Sequence, residues 1–215
     1  MKNIYCLLIV SFLCISSLLP AGAQTLSEKD FQVLNMNDGL SDNDIHSVAK
    51  DTEGFMWFGT GSGLNRYDGL TFKVFRMPGI SYRRIDRVVS LDTDYLLLRS
   101  EQNLFLFDKK YERFLPVCDS VSKQPVMFAD FVADSDGSCW GVSSGELSEV
   151  NFPSSYVQDT AFVSVRHVVN NLQSDPFVVL CMGEDGKMLY CASRNGTVLC
   201  FTPGQKQLKK VCDGQ

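Results

Sequence analysis

The chain has 215 residues, of which 45% are hydrophobic and 21% are charged, and its formal net charge at pH 7 is −5. This acidic balance argues against nucleic acid or an anionic membrane surface as a partner. Beyond the N-terminal segment no stretch is long and apolar enough to cross a bilayer, so no membrane span is expected in the mature chain.

The N-terminal segment has the pattern of a secretory signal peptide. Lys2 supplies a short basic start, residues 4–19 are almost wholly apolar, and small residues follow at 20–23. The apolar run is short for a membrane span, and a cleavage site follows it at once. We therefore predict a signal peptide over residues 1–23 and an exported mature chain over residues 24–215. An uncleaved anchor is the alternative.

The segment 51–69 predicts a β-hairpin bounded by turns. Residues 51–54 are a polar turn signal, and residues 55–60 are apolar and aromatic. The Gly-Ser-Gly run at 61–63 permits the positive φ angles of a tight hairpin. Residues 64–67 supply the return strand, and an Asp-Gly turn signal follows them.

The same pattern recurs in three more degraded copies. Trp57-Phe58-Gly59-Thr60 aligns with Leu97-Leu98-Arg99-Ser100, and the next strand then matches without a gap, with Leu104 on Leu64. The anchor residues of the four copies are Trp57, Leu97, Trp140 and Tyr190. A period of roughly 40 residues with several short strands per repeat is typical of a β-propeller blade. We expect the anchors to fill the space between adjacent blades.

The pattern therefore predicts an all-β fold of about four propeller blades, each with four antiparallel strands. The predicted blades cover residues 43–77, 84–118, 126–165 and 176–212. In the first blade the strands are expected at 45–49, 55–60, 64–67 and 72–76. Residues 31–34 precede the first inner strand, so they would close a ring, pair with a partner or remain loose. An ordinary β-sandwich is the alternative fold.

The cysteines and histidines bear on disulfide and metal chemistry. Six cysteines remain after the predicted cleavage: Cys118, Cys139, Cys181, Cys191, Cys200 and Cys212. If Asn195-Gly196 forms a two-residue type I′ turn, Cys191 faces Cys200 at a position where a cross-strand disulfide is possible. Two reduced, buried cysteines are the alternative. The only histidines are His46 and His167 and no Cys-x-x-Cys motif occurs, so neither a metal site nor a cofactor is expected.

The residues around the first hairpin resemble the regulator-propeller repeat. The resemblance is carried by Asn37-Asp38-Gly39-Leu40-Ser41, Asn43-Asp44-Ile45 and the runs 51–60 and 63–69. In that family the repeats form the periplasmic sensor region of hybrid two-component systems in polysaccharide-degrading Gram-negative bacteria. The resemblance implies a periplasmic propeller that senses glycan fragments. This chain would then be the N-terminal part of such a sensor, without its transmembrane and kinase parts. Because the rings of that family are larger, the resemblance also implies that the four blades form an incomplete ring; a closed four-bladed ring is the alternative.

The favoured function is a non-enzymatic sensing propeller that binds an oligosaccharide. Candidate ligand-binding residues are Asn43, Asp44 and His46 at the start of the inner strand, with Arg66 and Tyr67 near the hairpin end. Planar hydrogen-bonding groups and an aromatic face suit a sugar. The alternative is that the first two cap a turn and that Arg66 and Tyr67 pack between blades.

Other functions stay open. Instead of a sensor fragment, the chain could be a stand-alone exported binding or interaction protein. Exposed blade edges favour self-association. A propeller hydrolase or lyase is disfavoured, because the chain has two histidines and no Gly-x-Ser-x-Gly elbow, and no catalytic residue is predicted.

Overall fold

The computed structural model describes residues 31–79, 84–92, 94–133, 139–143, 145–153, 156, 159–169, 177–183, 187–205 and 207–212. The chain divides into two units, Met1–Val33 and Leu34–Gln215. The predicted signal peptide lies outside the described residues. In the first unit, Phe31 and Val33 are exposed. Residues 31–34 form no strand, and their ring-closing role stays a prediction.

The second unit is built of short strands, and no helix in its described part is long and apolar enough to cross a membrane. The strands are β1 (Ile45–Lys50), β2 (Met56–Thr60), β3 (Gly63–Tyr67), β4 (Phe72–Phe75), β5 (Arg87–Ser90), β6 (Tyr95–Ser100), β7 (Asn103–Asp108), β8 (Arg113–Asp119), β9 (Asp130–Ala133), β10 (Cys139–Ser143), β11 (Glu146–Asn151), β12 (Ala161–Val169), β13 (Phe177–Met182), β14 (Leu189–Ser193), β15 (Val198–Thr202) and β16 (Gln207–Cys212). Two short 3₁₀ turns lie at Met36–Asp38 and Pro203–Gln205.

These strands form four blades of four antiparallel strands, which confirms the predicted propeller architecture. The blades are β1–β4, β5–β8, β9–β12 and β13–β16, each in sequence order from the inner to the outer strand. The inner strands β1, β5, β9 and β13 lie side by side in that order. In the first blade, Thr60 pairs directly with Gly63, so the hairpin loop has two residues. Gly63 has φ +138°, and an added Cβ would lie 2.6 Å from the carbonyl oxygen of Phe75.

Three apolar clusters hold consecutive blades together. Between the first two blades, the Trp57 ring stacks on Phe75 with centroids 5.8 Å apart and meets Phe107 edge-on at 5.6 Å. The second cluster includes Leu97 and Phe131, and the third includes Trp140. Burial of one such side chain contributes roughly 1.5–3 kcal/mol. Packing between blades is therefore a main source of the stability of the array.

The two outermost blade faces are not covered in this way. Val48 on the first blade is 52% exposed, and Val179 on the fourth blade is 51% exposed. Neighbouring inner strands approach each other closely along the series, whereas β13 makes no comparable approach to β1 within the described residues. The four blades therefore form an open arc.

The outer edges of the second and third blades are joined by an unforeseen parallel pairing. The first residues of β12 pair with the end of β8, with Ala161 opposite Val117 and Val163 opposite Asp119. The rest of β12 pairs antiparallel with β11 in its own blade. The nine-residue β12 thus belongs to two blades, which merges them into one eight-stranded sheet.

The structure contradicts the strand register in which Cys191 would face Cys200, and with it the possible disulfide between them. In the register of β14 and β15, Cys191 lies opposite Leu199 and Tyr190 lies opposite Cys200. Both thiols are free. The reason is the loop: Ser193 N–H donates to the Thr197 carbonyl, and residues 194–196 form a three-residue connection with a left-handed Gly196 at φ +87°. One extra loop residue shifts the register by one, which moves the two cysteines to opposite faces of the sheet.

Candidate functional site

The four β-hairpins that join the second and third strands of each blade lie at one rim of the arc. Each inner strand starts opposite the hairpin of its own blade, as Ile45 opposite Thr60 and Arg87 opposite Arg99 show. We call this end the hairpin rim; its hairpins cover residues 60–63, 100–103, 143–146 and 193–197. The described residues that lead into β1, β5 and β9 reach the same rim: Gly61 N–H donates to the Asp44 carbonyl, Ile85 N–H to the Thr60 carbonyl and Phe128 N–H to the Gln102 carbonyl.

A cavity of about 500 Å³ opens at the hairpin rim. Its lining comes from three consecutive blades: Arg84, Asp86, Arg99, Glu101 and Gln102 from the second blade, Ala129 at the start of the third, and Arg194 from the fourth. A cavity shared by three blades of an arc lies toward the axis around which the blades are arranged. Ligand pockets of this size occur on many proteins, in the range of roughly 300–1,000 Å³.

Asp86 organises the second-blade side of this cavity. Its Oδ1 accepts a hydrogen bond from Arg84 Nε, and its Oδ2 accepts one from the Glu101 backbone N–H at 2.7 Å. Its own N–H donates to the Arg99 carbonyl at 2.8 Å. The Asp86 side chain is 10% exposed, so the carboxylate is well placed to fix both partners.

The Glu101 backbone has an unusual conformation at the cavity edge. Its φ is +57°, in the left-handed region that non-glycine residues rarely adopt. The hydrogen bond to Asp86 holds the N–H of this residue in place. Ser100 pairs with Asn103, so Glu101 is the first residue of a two-residue hairpin loop, a position that commonly requires positive φ.

Two arginines of the cavity have no counter-ion within the described residues. Arg99 Nε is buried and makes no hydrogen bond there. Arg194, in the hairpin of the fourth blade, is exposed. The cavity therefore combines three guanidinium groups with two carboxylates, and Asp86 is already committed to Arg84. This arrangement favours a ligand with negative charge and hydrogen-bonding groups.

The predicted binding residues Asn43, Asp44 and His46 lie together at the start of β1. Asn43 Oδ1 accepts a hydrogen bond from the Met36 N–H at 3.0 Å, which is a turn-stabilising role. His46 Nε2 lies 3.3 Å from Asp44 Oδ2, but the contact lacks hydrogen-bond geometry. These three residues do not line the cavity at the hairpin rim.

The other two predicted binding residues lie at the opposite rim, contrary to the expectation that all five share one surface. Arg66 and Tyr67 are at the end of β3 that is remote from the Thr60–Gly63 hairpin. The Arg66 guanidinium lies over the Phe55 ring at 4.6 Å. Tyr67 donates its hydroxyl to the Gly69 carbonyl at 2.8 Å. β3 starts at the hairpin with Gly63 and ends at Tyr67, so its last two residues lie at the end of the strand away from the hairpin.

The anchor residues divide into two kinds of position. Trp57, Leu97 and Trp140 are buried in the clusters between consecutive blades. Tyr190 is half-buried, and its strand neighbours Leu189 and Cys191 belong to the cluster shared with the third blade. Side chains alternate along a strand, so Tyr190 points to the opposite, open face of the fourth blade.

A smaller cavity of about 220 Å³ lies between the second and third blades and contains a serine, a histidine and an acid. Ser148 Oγ is 3.0 Å from His167 Nδ1, and Glu146 Oε2 is 3.2 Å from the same nitrogen. A hydrolytic triad needs the serine and the acid on different ring nitrogens. This arrangement therefore does not activate Ser148. Within the described residues, no group of three or more histidine, cysteine or acidic side chains is arranged to hold a metal ion.

Sequence reasoning missed the residues of the rim cavity, although the repeat alignment contained a signal. Arg99 occupies the position of Gly59, and continuing the same alignment places Glu101 on Gly61. Both replaced glycines belong to the first-blade hairpin, and both replacing residues line the cavity. The replacement of glycine by a charged residue between blades is thus the sequence signal that coincides with the cavity.

Comparison with known proteins identifies the repeat. Residues 39–62 match the family model described as "Two component regulator propeller". Over 78 residues the chain is 38% identical to Histidine kinase P4 of Formosa agariphila, a match that covers 35% of this chain and 5% of that protein. The chain therefore spans only a small part of the curated relative that it matches.

Solved structures share the fold. The extracellular domain of a hybrid two-component system from B. thetaiotaomicron superposes with a TM-score of 0.63 at 18% identity, covering 84% of this chain and 26% of that one. A catalytically inactive virginiamycin B lyase from Staphylococcus aureus gives 0.57 at 10% identity, covering 85% of this chain and 59% of that one. These likenesses show the fold, and the family match at residues 39–62 agrees with the resemblance found from sequence.

Proposed function

We propose that this chain is the ligand-sensing propeller part of an exported two-component signalling protein and that it recognises glycan fragments in the periplasm without catalysing their cleavage. The observation that carries the proposal is the rim cavity, where three blades contribute arginine, carboxylate and amide groups to one space of about 500 Å³. The repeat match at residues 39–62 and the signal-peptide pattern support signalling and export.

The chemistry of the cavity suits a sugar. Guanidinium and amide N–H groups donate to ring and hydroxyl oxygens, and the Glu101 carboxylate accepts from hydroxyl groups. The cavity lining contains no nucleophile paired with a base among the described residues. Binding without turnover is what a sensor requires, because the occupied state must last long enough to be read.

The proposal is tested on the full chain with a panel of neutral and acidic oligosaccharides. Isothermal titration calorimetry measures binding, and thermal unfolding measures the stabilisation that a ligand of the native state must produce. At least one oligosaccharide should raise the midpoint temperature and emerge chemically unchanged after prolonged incubation. Cleavage of the bound sugar, or no binding across the panel, would refute the proposal.

A second candidate function is self-association through the uncovered blade faces. The exposed Val48 and Val179 lie on the two outermost faces of the arc and favour it. Light scattering after size exclusion distinguishes the candidates, since a binder without this role stays monomeric at micromolar concentration. A Val48→Asp variant should dissociate an associated form and leave sugar binding unchanged.

A further inference from the structure

The charged side chains that line the rim cavity indicate the chemical class of its ligand. We infer that the ligand carries a carboxylate and that Arg99 is the residue which recognises it, with Arg84 and Arg194 beside it. This inference rests on the proposed sensing function and names the class of sugar: an oligosaccharide that contains a uronic acid or a similar acidic unit.

Arg99 lines the cavity, but its Nε is buried and has no hydrogen-bond partner within the described residues. Desolvating part of a cationic group without a counter-ion is unfavourable, and a carboxylate bound to the part of the guanidinium that lines the cavity lowers this cost. The planar guanidinium presents two parallel N–H groups to a carboxylate, a geometry that neutral hydroxyl groups use less well.

The fold does not require arginine at this position. Gly59 occupies the equivalent place in the first blade, where an added Cβ would lie 2.7 Å from the Ile85 carbonyl oxygen. The segment that leads into the second blade thus packs directly over β2 of the first blade. Ala129, which leads into the third blade, instead lines the cavity together with Arg99 of the second blade. The replacement of glycine by arginine has opened a charged space where the first blade is closed.

The side chains around Arg99 are held in place and leave a surplus of positive charge. Asp86 holds Arg84 by its Nε and pins the backbone of Glu101, so both side chains have defined positions. Arg194 approaches from the fourth blade. Once Asp86 is paired with Arg84, the remaining charged side chains of the cavity are two arginines and one glutamate. The surplus is positive, and Glu101 can accept from sugar hydroxyls beside the carboxylate.

The test uses matched probes that differ only at the carboxyl group. One probe set is a mixture of di- to tetrasaccharides of uronic acids; the other is the same mixture after reduction of the carboxylates to primary alcohols. Isothermal titration calorimetry of the full chain should give binding of the acidic set, with the reduced set weaker by about tenfold or more. Rising salt should weaken only the acidic set.

Variants assign the effect to Arg99. Arg99→Gln should remove the preference for the acidic set, and Arg99→Lys should restore part of it, because lysine keeps the charge without the fork. Arg76→Gln is the matched control, since Arg76 is exposed after β4 and does not line the cavity. Circular dichroism confirms that each variant is folded before titration.

The outcomes separate this inference from the proposed function. Equal affinity for both probe sets, or binding of neutral sugars alone, overturns the inference and leaves glycan sensing intact. Acidic binding that Arg99→Gln and Arg76→Gln leave equally unchanged also overturns the assignment to this cavity. Citrate serves as a small anion without a sugar. If citrate binds in an Arg99-dependent manner and no sugar binds, glycan sensing is overturned, while the assignment of an anion site at Arg99 stands. No binding of any probe overturns both.

Discussion

The Trp57 indole donates its Nε1–H to Asp51 Oδ2 at 2.8 Å, inside the cluster that joins the first two blades. Asp51 Oδ1 also accepts from the backbone N–H groups of Glu53 and Phe55, each at 3.0 Å. Lys109 of the second blade places its Nζ 3.6 Å from Asp51 Oδ2. One buried carboxylate thus ties together a turn, the anchor of the first blade and the neighbouring blade.

This arrangement predicts that Asp51→Asn destabilises the protein. Asparagine has a single acceptor oxygen, so it cannot accept both from the Trp57 indole and from the two backbone N–H groups. Lys109 also loses one of its two carboxylate partners. Since hydrogen bonds to charged groups contribute more than neutral ones, we expect a loss of about 1–3 kcal/mol at pH 7, measured by urea unfolding. Asp68→Asn, in an exposed turn of the same blade, should have a smaller effect.

The same carboxylate predicts a pH dependence. Burial raises the pKa of Asp51, but the hydrogen bond from Trp57 and the charge of Lys109 outweigh it and hold the pKa below 3.8. Because the folded pKa is depressed, the stabilisation is fully present above the unfolded value and disappears as the pH falls through the folded value. The stability gap between the natural chain and Asp51→Asn should therefore shrink below about pH 4. A gap that is constant from pH 7 to pH 3 would contradict this role.

Gly141 in β10 is a glycine at which added volume should be harmful. A Cβ there would lie 2.2 Å from Cδ2 of Phe128, a ring packed between the second and third blades. Gly141→Ala is expected to cost about 1–3 kcal/mol through overpacking, measured as a shift in the urea midpoint. Gly204→Ala is the matched control, because a Cβ at Gly204 meets no atom within 4 Å. Equal midpoints for the two variants would show that Phe128 moves freely.

Glu101 allows the backbone conformation at the cavity to be tested separately from its charge. At φ +57° glycine is unstrained, whereas alanine has the same penalty as glutamate. Glu101→Gly should therefore be more stable than Glu101→Ala by about 0.5–1 kcal/mol, after the greater unfolded-state entropy of glycine is included. Thermal unfolding of the two variants measures the difference. Both remove the carboxylate, so a reversed order would mean that the hairpin changes conformation.

Local signals in the sequence were sufficient for the first blade. Its observed strands start and end within one residue of the predicted limits, because Asp, Gly and Asn turn residues bracket short alternating runs. The four-stranded blades followed from the repeat, whereas the incomplete ring followed from the family resemblance. These features depend on residues close to one another in the chain, where turn chemistry and period 2 are reliable guides.

The missed features depend on contacts between distant residues. The pairing of β12 with β8 joins segments more than forty residues apart and has no local signature. The rim cavity needs Arg99 and Arg194 from different blades. The cysteine register failed for a different reason: Asn195-Gly196 suits both a two-residue turn and a three-residue loop, and a difference of one residue reverses every side chain beyond it.

The corrected register predicts distinct thiol reactivities in place of a disulfide. Burial raises the pKa of the Cys191 thiol to about 12, and burial also raises the pKa of Cys139. Cys181 and Cys212 are exposed. Since the thiolate is the reactive form, iodoacetamide at pH 8 should modify Cys181 and Cys212 first and Cys139 and Cys191 only after unfolding.

Peptide mass spectrometry after short labelling, with and without urea, measures these rates residue by residue. A sample never exposed to reductant should show all described cysteines as free thiols once it is unfolded and labelled, with the same mass as a reduced sample. A mass lower by two hydrogens, or a Cys191–Cys200 cross-linked peptide, would require the two-residue turn and thus a shift of β15 by one residue. Rapid native labelling of Cys191 would instead mean that the third and fourth blades separate readily.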